Sequence, residues 1–149
     1  TFALALSLLD RLDSLDYVEA ISHKVGFLNP RIRHKTAGNA VSFIELGVYP
    51  ENVQAVIKNA ISYIGKETHS DRTAMAVKLG LEVDRRLKAR ATEARRRHVT
   101  ADEARRAAKA CNIQVIEVSG ELGIVGAVAA MGMADSKPEV LMDPRKKIL

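Results

Sequence analysis

The sequence predicts an α+β fold, in which helices pack on one face of a mixed or antiparallel sheet built from βαβ-type units. Apolar residues recur at helical spacing in some segments and alternate at strand spacing in others. These segments follow one another as helix, strand, strand, helix, strand, two helices, strand and helix. One more strand ahead of the first helix would complete a βαββα unit, so we expect the chain to lack its N-terminal strand. We assign residues 1–136 to a single α+β domain and residues 137–149 to a tail or linker.

The first half of the chain is predicted to contain two helices that bracket a pair of strands. Leucines at helical spacing form the apolar stripe of a first helix that ends near Ser14. Strands are expected over 23–28 and 40–47, and the polar, basic segment 31–39 joins them as a long hairpin loop. A second helix is expected over 50–65, because a proline opens it and a glycine follows its last apolar residue.

The second half is predicted to alternate strands and helices. A short strand is expected over 73–79, and a strongly basic helix over 81–97. The Thr-Ala-Asp-Glu sequence at 100–103 is a capping box and predicts the start of another helix. Alternating apolar residues predict a strand over 112–118, and small residues predict a closely packed helix over 124–131. The charged tail that follows is interpreted as a linker or an edge strand.

Composition excludes several classes of protein. The chain has 149 residues, 47% of them hydrophobic, which is enough for one globular core. No apolar run approaches the roughly 20 residues that span a bilayer, and no signal peptide is recognisable. The lone Cys111 cannot form an internal disulfide or a cysteine-rich zinc site. We therefore expect a protein of the reducing cytoplasm with no membrane partner.

Positive charge is concentrated in the predicted basic helix and its successor. The net charge is +5, and residues 85–109 carry ten Lys or Arg but three acids. The chain has no Trp and three each of Phe and Tyr, so contacts to RNA would be made to phosphates rather than by base stacking. The candidate RNA-binding residues are Arg85, Arg86, Arg95, Arg96 and Arg97. The alternative is a solvated face that keeps the protein soluble.

The loop between the first two strands is the first candidate ligand site. Its cationic side chains can pair with phosphate, its glycine lets backbone N–H groups approach an anion, and its asparagines can orient a ligand. The candidate nucleotide-binding residues here are Asn29, Arg31, Lys35, Thr36, Gly38 and Asn39. The alternative is a solvated hairpin loop in which these residues only form turns.

A glycine-rich segment and an acidic turn are the other candidates. Gly120, Gly123 and Gly126 follow a predicted strand and lead into a helix, whose N-terminus attracts phosphate. The spacing matches neither a P-loop nor the dinucleotide fingerprint, and close packing of helix on sheet would equally favour glycine. Asp71, within a run of polar residues at 68–73, is a candidate magnesium ligand, although such runs also form ordinary caps and turns.

Two motifs resemble a known enzyme family. Residues 28–39 read L-N-P-x-I-x-x-K-T-x-G-N, and residues 123–132 read G-x-x-G-A-x-A-A-x-G. Both are similar to the catalytic, kinase-like domain of the archaeal tRNA-isoleucine agmatinylcytidine synthetase superfamily, as is the opening Thr-Phe-Ala-Leu-Ala. The resemblance covers residues 1–46 and 112–132. It extends to a relative without RNA-reading modules, the methanogenesis marker protein 11 family.

The resemblance implies an ATP-dependent enzyme domain that activates a tRNA wobble cytidine, by chemistry of the phosphoryl-transfer type, for attack by an amine. It implies ATP and magnesium as cofactors, a nucleotide and tRNA as partners, and a catalytic role for Lys35 as a phosphate clamp. Asp71 lies outside the part of the chain that resembles the family, and its catalytic role, assisting a metal, is predicted from the polar run at 68–73 alone. The family's acidic G-I-D-D-T-D strand and its zinc ribbon are absent from this sequence. We therefore expect this chain alone to be incomplete as an enzyme. The alternative from another class is a non-catalytic RNA- or protein-binding module that uses the basic surface of residues 85–109.

Overall fold

The computed structural model describes residues 2–29, 31, 40–135 and 140–142, the last three by their backbone. Within these ranges the chain forms five α-helices and five β-strands. In chain order they are α1 (Phe2–Asp13), β1 (Val18–Phe27), β2 (Ala40–Val48), α2 (Val53–Glu67), β3 (Ala74–Val77), α3 (Arg85–Arg96), α4 (Ala101–Ala110), β4 (Gln114–Glu117), α5 (Leu122–Gly132) and β5 (Val140–Met142). The predicted α+β class is confirmed.

The described strands form two antiparallel sheets. The first has the order β2-β1-β5, and the second consists of β3 and β4. In the long β1–β2 hairpin, Val18 pairs with Val48 and Phe27 with Ala40. β1 therefore begins five residues before the predicted 23–28, because pairing with the far end of β2 holds its first residues. β5 lies within the predicted tail and adds a short edge strand to β1.

Helices cover both faces of both sheets, where the sequence predicted them on one face. Alternate residues of β2 point in opposite directions: Leu46 packs with α1 and α2, whereas Val41 and Phe43 pack with α5. The second sheet behaves in the same way, since Met75 contacts the α1–α2 cluster and Ala74 contacts the cluster built on α3, α4 and α5. The reason is that both strands are apolar on both faces, so each face needs a helix to bury it.

Helix α5 is the central element of the second helical layer. It contacts α3 and α4 as well as β2, β3 and β4. Ile124 is completely buried and Val128 almost so. A helix that is apolar all round must be buried all round, which agrees with its run of small and aliphatic residues. It begins at Leu122, two residues before the predicted start at 124.

Local capping defines the two basic helices. The capping box that starts α4 is confirmed: Glu103 N–H donates to Thr100 Oγ1 at 3.2 Å, and Thr100 N–H donates to Glu103 Oε2 at 2.8 Å. The bond from Thr100 N–H, with help from Arg97, lowers the pKa of Glu103 to about 2. α3 starts four residues later than predicted, because Asp84 is its N-cap and accepts a bond from Arg86 N–H at 2.7 Å. Among the helices of the described residues, none is both long enough and apolar enough to cross a membrane.

A buried histidine lies in the middle of β1. His23 is 0% exposed, and within the described part of the chain neither ring nitrogen has a hydrogen-bond partner. The ring stacks on Phe2 of α1, with centroids 5.3 Å apart. Burial disfavours the charged imidazolium and lowers the pKa of His23 below its usual 6.5. The folded protein therefore holds His23 neutral.

We expect the stability of the protein to fall as the pH drops below about 6.5. The unfolded chain binds a proton at His23 near that pH while the folded chain does not, so the free energy of unfolding decreases by up to roughly 1.4 kcal/mol per pH unit. Urea unfolding at pH 7.5 and pH 5.5 measures this, and His23→Phe should remove most of the difference. His98→Gln, at an exposed histidine, is the control. An unchanged pH dependence in His23→Phe would contradict the assignment.

Candidate functional site

A cleft of about 1040 Å³ lies between β2 and β3. Consecutive residues 40–44 of β2 form one wall, and the segment 67–76, which includes β3, forms the other. The start of α1 and part of α5 also line it, as does the α3–α4 connection at 98–101. Leu8 and Ile64 on one side and Ala130 on the other are nearly buried, so much of the cleft is apolar.

Parts of three segments that the sequence singled out border this cleft. Leu28 and Ala40, which flank the predicted nucleotide-binding loop, line it together with Asp71, Gly123 and Gly126. They belong to parts of the chain that are far apart in sequence, and the two helical layers bring them together.

Of the predicted loop residues, only the first two lie within the described part of the chain. Asn29 Oδ1 accepts a hydrogen bond from the backbone N–H of Arg31 at 2.9 Å, which is a local turn. Lys35, Thr36, Gly38 and Asn39 lie outside the described residues. Their role in nucleotide binding therefore stays a prediction. It is supported by the position of Leu28 and Ala40, which flank the loop and line the cleft.

The acidic turn is held to the glycine-rich segment by Ser119. Its hydroxyl donates to Ser70 O at 2.6 Å and accepts from Thr73 N–H at 2.9 Å. The hydroxyl oxygens of Thr68 and Thr73, 2.7 Å apart, share a further bond that closes the turn. This network fixes the backbone around Asp71. Ser119 was not among the predicted site residues, because nothing in the sequence shows which distant segment its hydroxyl meets.

Asp71 itself is poorly placed to hold a metal ion alone. Its side chain is 89% exposed, and its carboxylate lies 3.5 Å from the guanidinium of Arg72. Within the described ranges, no group of three or more His, Cys, Asp or Glu could bind a metal. Magnesium normally takes several oxygen ligands, so the donor set that these residues offer does not fit a protein-held magnesium site.

The three predicted glycines lie where another part of the chain comes very close. A Cβ atom on Gly120 would be 2.9 Å from Arg72 Cα, and one on Gly126 would be 2.9 Å from Val41 Cγ1. On Gly123 it would lie 2.8 Å from Ala74 N and closer still to the carbonyl oxygen of Arg72. Close packing therefore accounts for glycine at these positions. Binding of phosphate by the same residues stays a prediction.

Ser42 is a further polar group of the cleft that the sequence did not indicate. Its Oγ is buried, and no described residue gives it a hydrogen-bond partner. It lies in β2 among the residues that line the cleft. A single serine within an apolar strand has no pattern that marks it, so only the structure identifies it.

The predicted RNA-binding arginines are exposed on α3 and at its C-terminal end. Arg86 and Arg97 take part in local structure. The guanidinium of Arg86 binds the carboxylate of Asp84 at 2.8 Å, and this bond raises the pKa of Arg86. Arg97 binds Glu103 at 3.0 Å and Glu93 at 3.3 Å, which joins α3 to the start of α4. An exposed arginine can keep such a bond and still contact a phosphate, so the RNA-binding role of the set stays a prediction.

Comparison with known proteins gives two archaeal relatives. The chain is 35% identical over 115 residues to an uncharacterized protein of Methanocaldococcus jannaschii, which is 77% of this chain and 38% of that protein. It is 31% identical over 108 residues to the tRNA-isoleucine 2-agmatinylcytidine synthetase of Pyrococcus horikoshii, which is 70% of this chain and 26% of the enzyme. No family model matches the chain. The chain thus spans well under half the length of both relatives and is a distant relation of the tRNA-modifying enzyme.

Proposed function

We propose that this chain is part of an ATP-dependent enzyme domain that acts in tRNA modification, by activating its substrate in a phosphoryl-transfer type of step. The observation that carries the proposal is the 31% identity to an archaeal tRNA-isoleucine 2-agmatinylcytidine synthetase, which extends over 70% of this chain. The proximity of Asp71, Gly123 and the residues that flank the predicted loop in one cleft supports it, because ligand sites are typically concave and mostly apolar, with a few polar groups.

In this proposal the loop that follows Leu28 binds the nucleotide at the mouth of the cleft. Lys35 would pair with phosphate oxygens, and Arg31 would add a second positive charge. The N-terminus of α5 borders the same cleft and favours negative charge. Magnesium would neutralise the phosphates when bound with ATP. Since Asp71 is the single candidate ligand among the site residues, most of the metal's ligands must come from ATP, water or chain outside the described residues.

The basic surface of α3 favours tRNA as a partner of the same domain. Arg85 and Arg96 are exposed and form no ion pair with any residue that the structure describes, so they can meet phosphates without breaking an internal bond. The second candidate function, a non-catalytic RNA- or protein-binding module, rests on this surface alone. A role associated with methanogenesis rests on the second resemblance alone. We place the protein in the cytoplasm, as its lone half-buried Cys111 suits a reducing compartment.

Calorimetric titration of magnesium ATP into the chain tests the proposal. We expect saturable binding to the unmodified chain and its loss, by at least about tenfold in affinity, in Lys35→Ala, because a charge-assisted contact to phosphate is worth roughly 1.5–3 kcal/mol. Lys58→Ala is the matched control, since Lys58 is exposed on α2 and does not line the cleft.

A parallel titration with a tRNA transcript separates the two candidate functions. Binding of ATP that needs Lys35 supports the enzyme. If the transcript binds equally well to the unmodified chain and to Lys35→Ala while neither binds ATP, the binding module is the better description. Equal ATP affinity in Lys35→Ala and Lys58→Ala would contradict the proposed role of the loop.

A further inference from the structure

We propose that the outer face of the α3–α4 pair binds a double-helical segment of RNA, which it contacts at backbone phosphates without reading the bases. We build here on the proposed function, in which RNA is a partner of this domain, and add the form of that RNA and the side chains that meet it. The outer face is defined by four cations, two from each helix: Arg85, Arg96, Arg106 and Lys109.

Both helices turn one side to α5 and the other to solvent. Their contacts with α5 hold them in the same layer of the molecule. The sides that they bury carry small and aliphatic residues: Leu87, Ala91, Ala94, Ala104 and Ala108. At 3.6 residues per turn, Arg85 and Arg96 lie nearly opposite the buried side of α3, and Arg106 lies opposite that of α4. All four cations of the outer face are exposed.

Ion pairs divide the cations of this segment into two groups. Every acid between positions 84 and 110 is bound by an arginine, and these acids are Asp84, Glu93, Asp102 and Glu103. The arginines that bind them are Arg86, Arg90, Arg97 and Arg105. The four cations of the outer face form no ion pair with any residue that the structure describes. They therefore keep their charge for an external anion, and two of them, Arg106 and Lys109, were not among the predicted RNA-binding residues.

Bonds at both ends of the pair fix the two helices relative to each other. At one end Arg97 binds Glu93 of α3 at 3.3 Å and Glu103 of α4 at 3.0 Å. At the other end the guanidinium of Arg86 donates to the carbonyl oxygen of Ala110 at 3.2 Å. The outer face is thus a rigid platform, and a rigid surface loses little conformational freedom when it binds.

The outer face lacks the side chains that bind a single strand. Single-stranded RNA is held largely by stacking of its bases on aromatic rings. The chain has no Trp, and all its Phe and Tyr residues lie between positions 2 and 63, so neither α3 nor α4 contains one. Ala89 and Thr92, between Arg85 and Arg96 on α3, are exposed and short. A polyanion can therefore approach the helix closely, but its bases find no ring on which to stack.

A base-paired stem offers what this face can bind. Double-stranded RNA is recognised mostly by its shape and by contacts to phosphates and 2′-hydroxyls, because its deep major groove hides the base edges. Arg85 and Arg96 lie three helical turns apart, about 16 Å along the axis of α3. Cations held at such a fixed separation suit phosphates whose positions are fixed by a duplex. A flexible single strand offers no fixed spacing to match.

Fluorescence anisotropy with labelled RNA tests the form of the ligand. The probes are a 20-base-pair RNA duplex, a second duplex of unrelated sequence, and one unstructured strand of the first. We expect the first duplex to bind at least about tenfold more tightly than its single strand, since the strand gains nothing from stacking here. The two duplexes should bind within about twofold of each other, because phosphate contacts carry no sequence information.

Charge-removing variants test the residues. Arg96→Gln with Arg106→Gln should weaken duplex binding at least about tenfold and reduce the slope of log affinity against log salt by about 2, close to 1 for each lost phosphate contact. Each single substitution should reduce the slope by about 1, which keeps the test valid if the double variant folds poorly. Lys58→Gln with Lys66→Gln is the control: it removes the same charge from exposed positions of α2 and should leave the slope nearly unchanged.

Four results would overturn the proposal. They are a single strand that binds as tightly as the duplex, duplexes whose affinities differ more than tenfold, equal losses in the arginine and lysine variants, and poly-glutamate that displaces the duplex at equal charge, which would indicate an acidic protein as the partner. Titration with magnesium ATP separates this proposal from the proposed function. If the duplex binds through Arg96 and Arg106 but ATP does not bind, the enzyme function fails and the RNA surface stands. If ATP binds through Lys35 but the duplex does not bind, the reverse holds.

Discussion

Replacement of Gly123 by alanine should lower the free energy of unfolding by about 3 kcal/mol, near the upper end of the cost of forcing extra atoms into a packed interior. In a chain of this size that corresponds to a melting temperature lower by roughly 6–12 °C. Thermal unfolding followed by circular dichroism measures the change.

The expected cost is large because the obstacle is backbone. A Cβ atom on Gly123 would lie 2.8 Å from Ala74 N and still closer to the carbonyl oxygen of Arg72. A flexible side chain could rotate away, but this segment is fixed, since Thr73 N–H donates to Ser119 and Thr73 O accepts from Val118 N–H at 3.1 Å. Relief would require α5 to move away from β3.

Gly65→Ala is the matched control for this substitution. Gly65 lies within α2, and a Cβ there would meet only Val118 Cγ1, at an ordinary 3.7 Å. Alanine at that position should be neutral or stabilise the protein by up to about 1 kcal/mol, because it is the better helix former. If Gly123→Ala changes the free energy of unfolding as little as Gly65→Ala does, then α5 does not approach the backbone of Arg72 and Ala74 as closely as described.

The second large effect is expected for Leu12→Ala, which should destabilise the protein by about 3–4 kcal/mol. Leu12 is 1% exposed and belongs to the cluster in which α1 and α2 pack on the strands. Its removal loses the transfer free energy of the buried atoms and leaves a cavity between elements that cannot easily collapse. Chemical denaturation of the variant measures the loss.

Leu81→Ala is the control with the same change of side chain. Leu81 is 82% exposed, between β3 and α3, so its truncation should change stability by less than about 0.5 kcal/mol. Similar losses for the two variants would mean that α1 does not pack on the sheet as described.

Local signals in the sequence predicted most elements of the fold. The apolar stripe of α1, the proline that precedes α2 and the capping box at Thr100 are local signals. Each depends on residues only three or four positions apart, so it can be found without tertiary information. The late start of α3 could also have been found, because Asp84 is a good N-cap residue immediately before it. The early start of β1 could not, because it depends on pairing with the distant end of β2.

By itself, the sequence determined the α+β class, the distribution of charge and the motifs that resemble a tRNA-modifying family. The tertiary structure alone decided that helices cover both faces of the sheets, that Asp71 and Gly123 line one cleft with the residues that flank the predicted loop, and that Gly120 and Gly123 pack against the backbone near Asp71. The physical reason is the distance along the chain over which each kind of interaction acts. Helix periodicity and caps depend on neighbours within a turn, whereas a cleft and a close backbone approach depend on residues nearly fifty positions apart, whose meeting is set by the packing of whole elements.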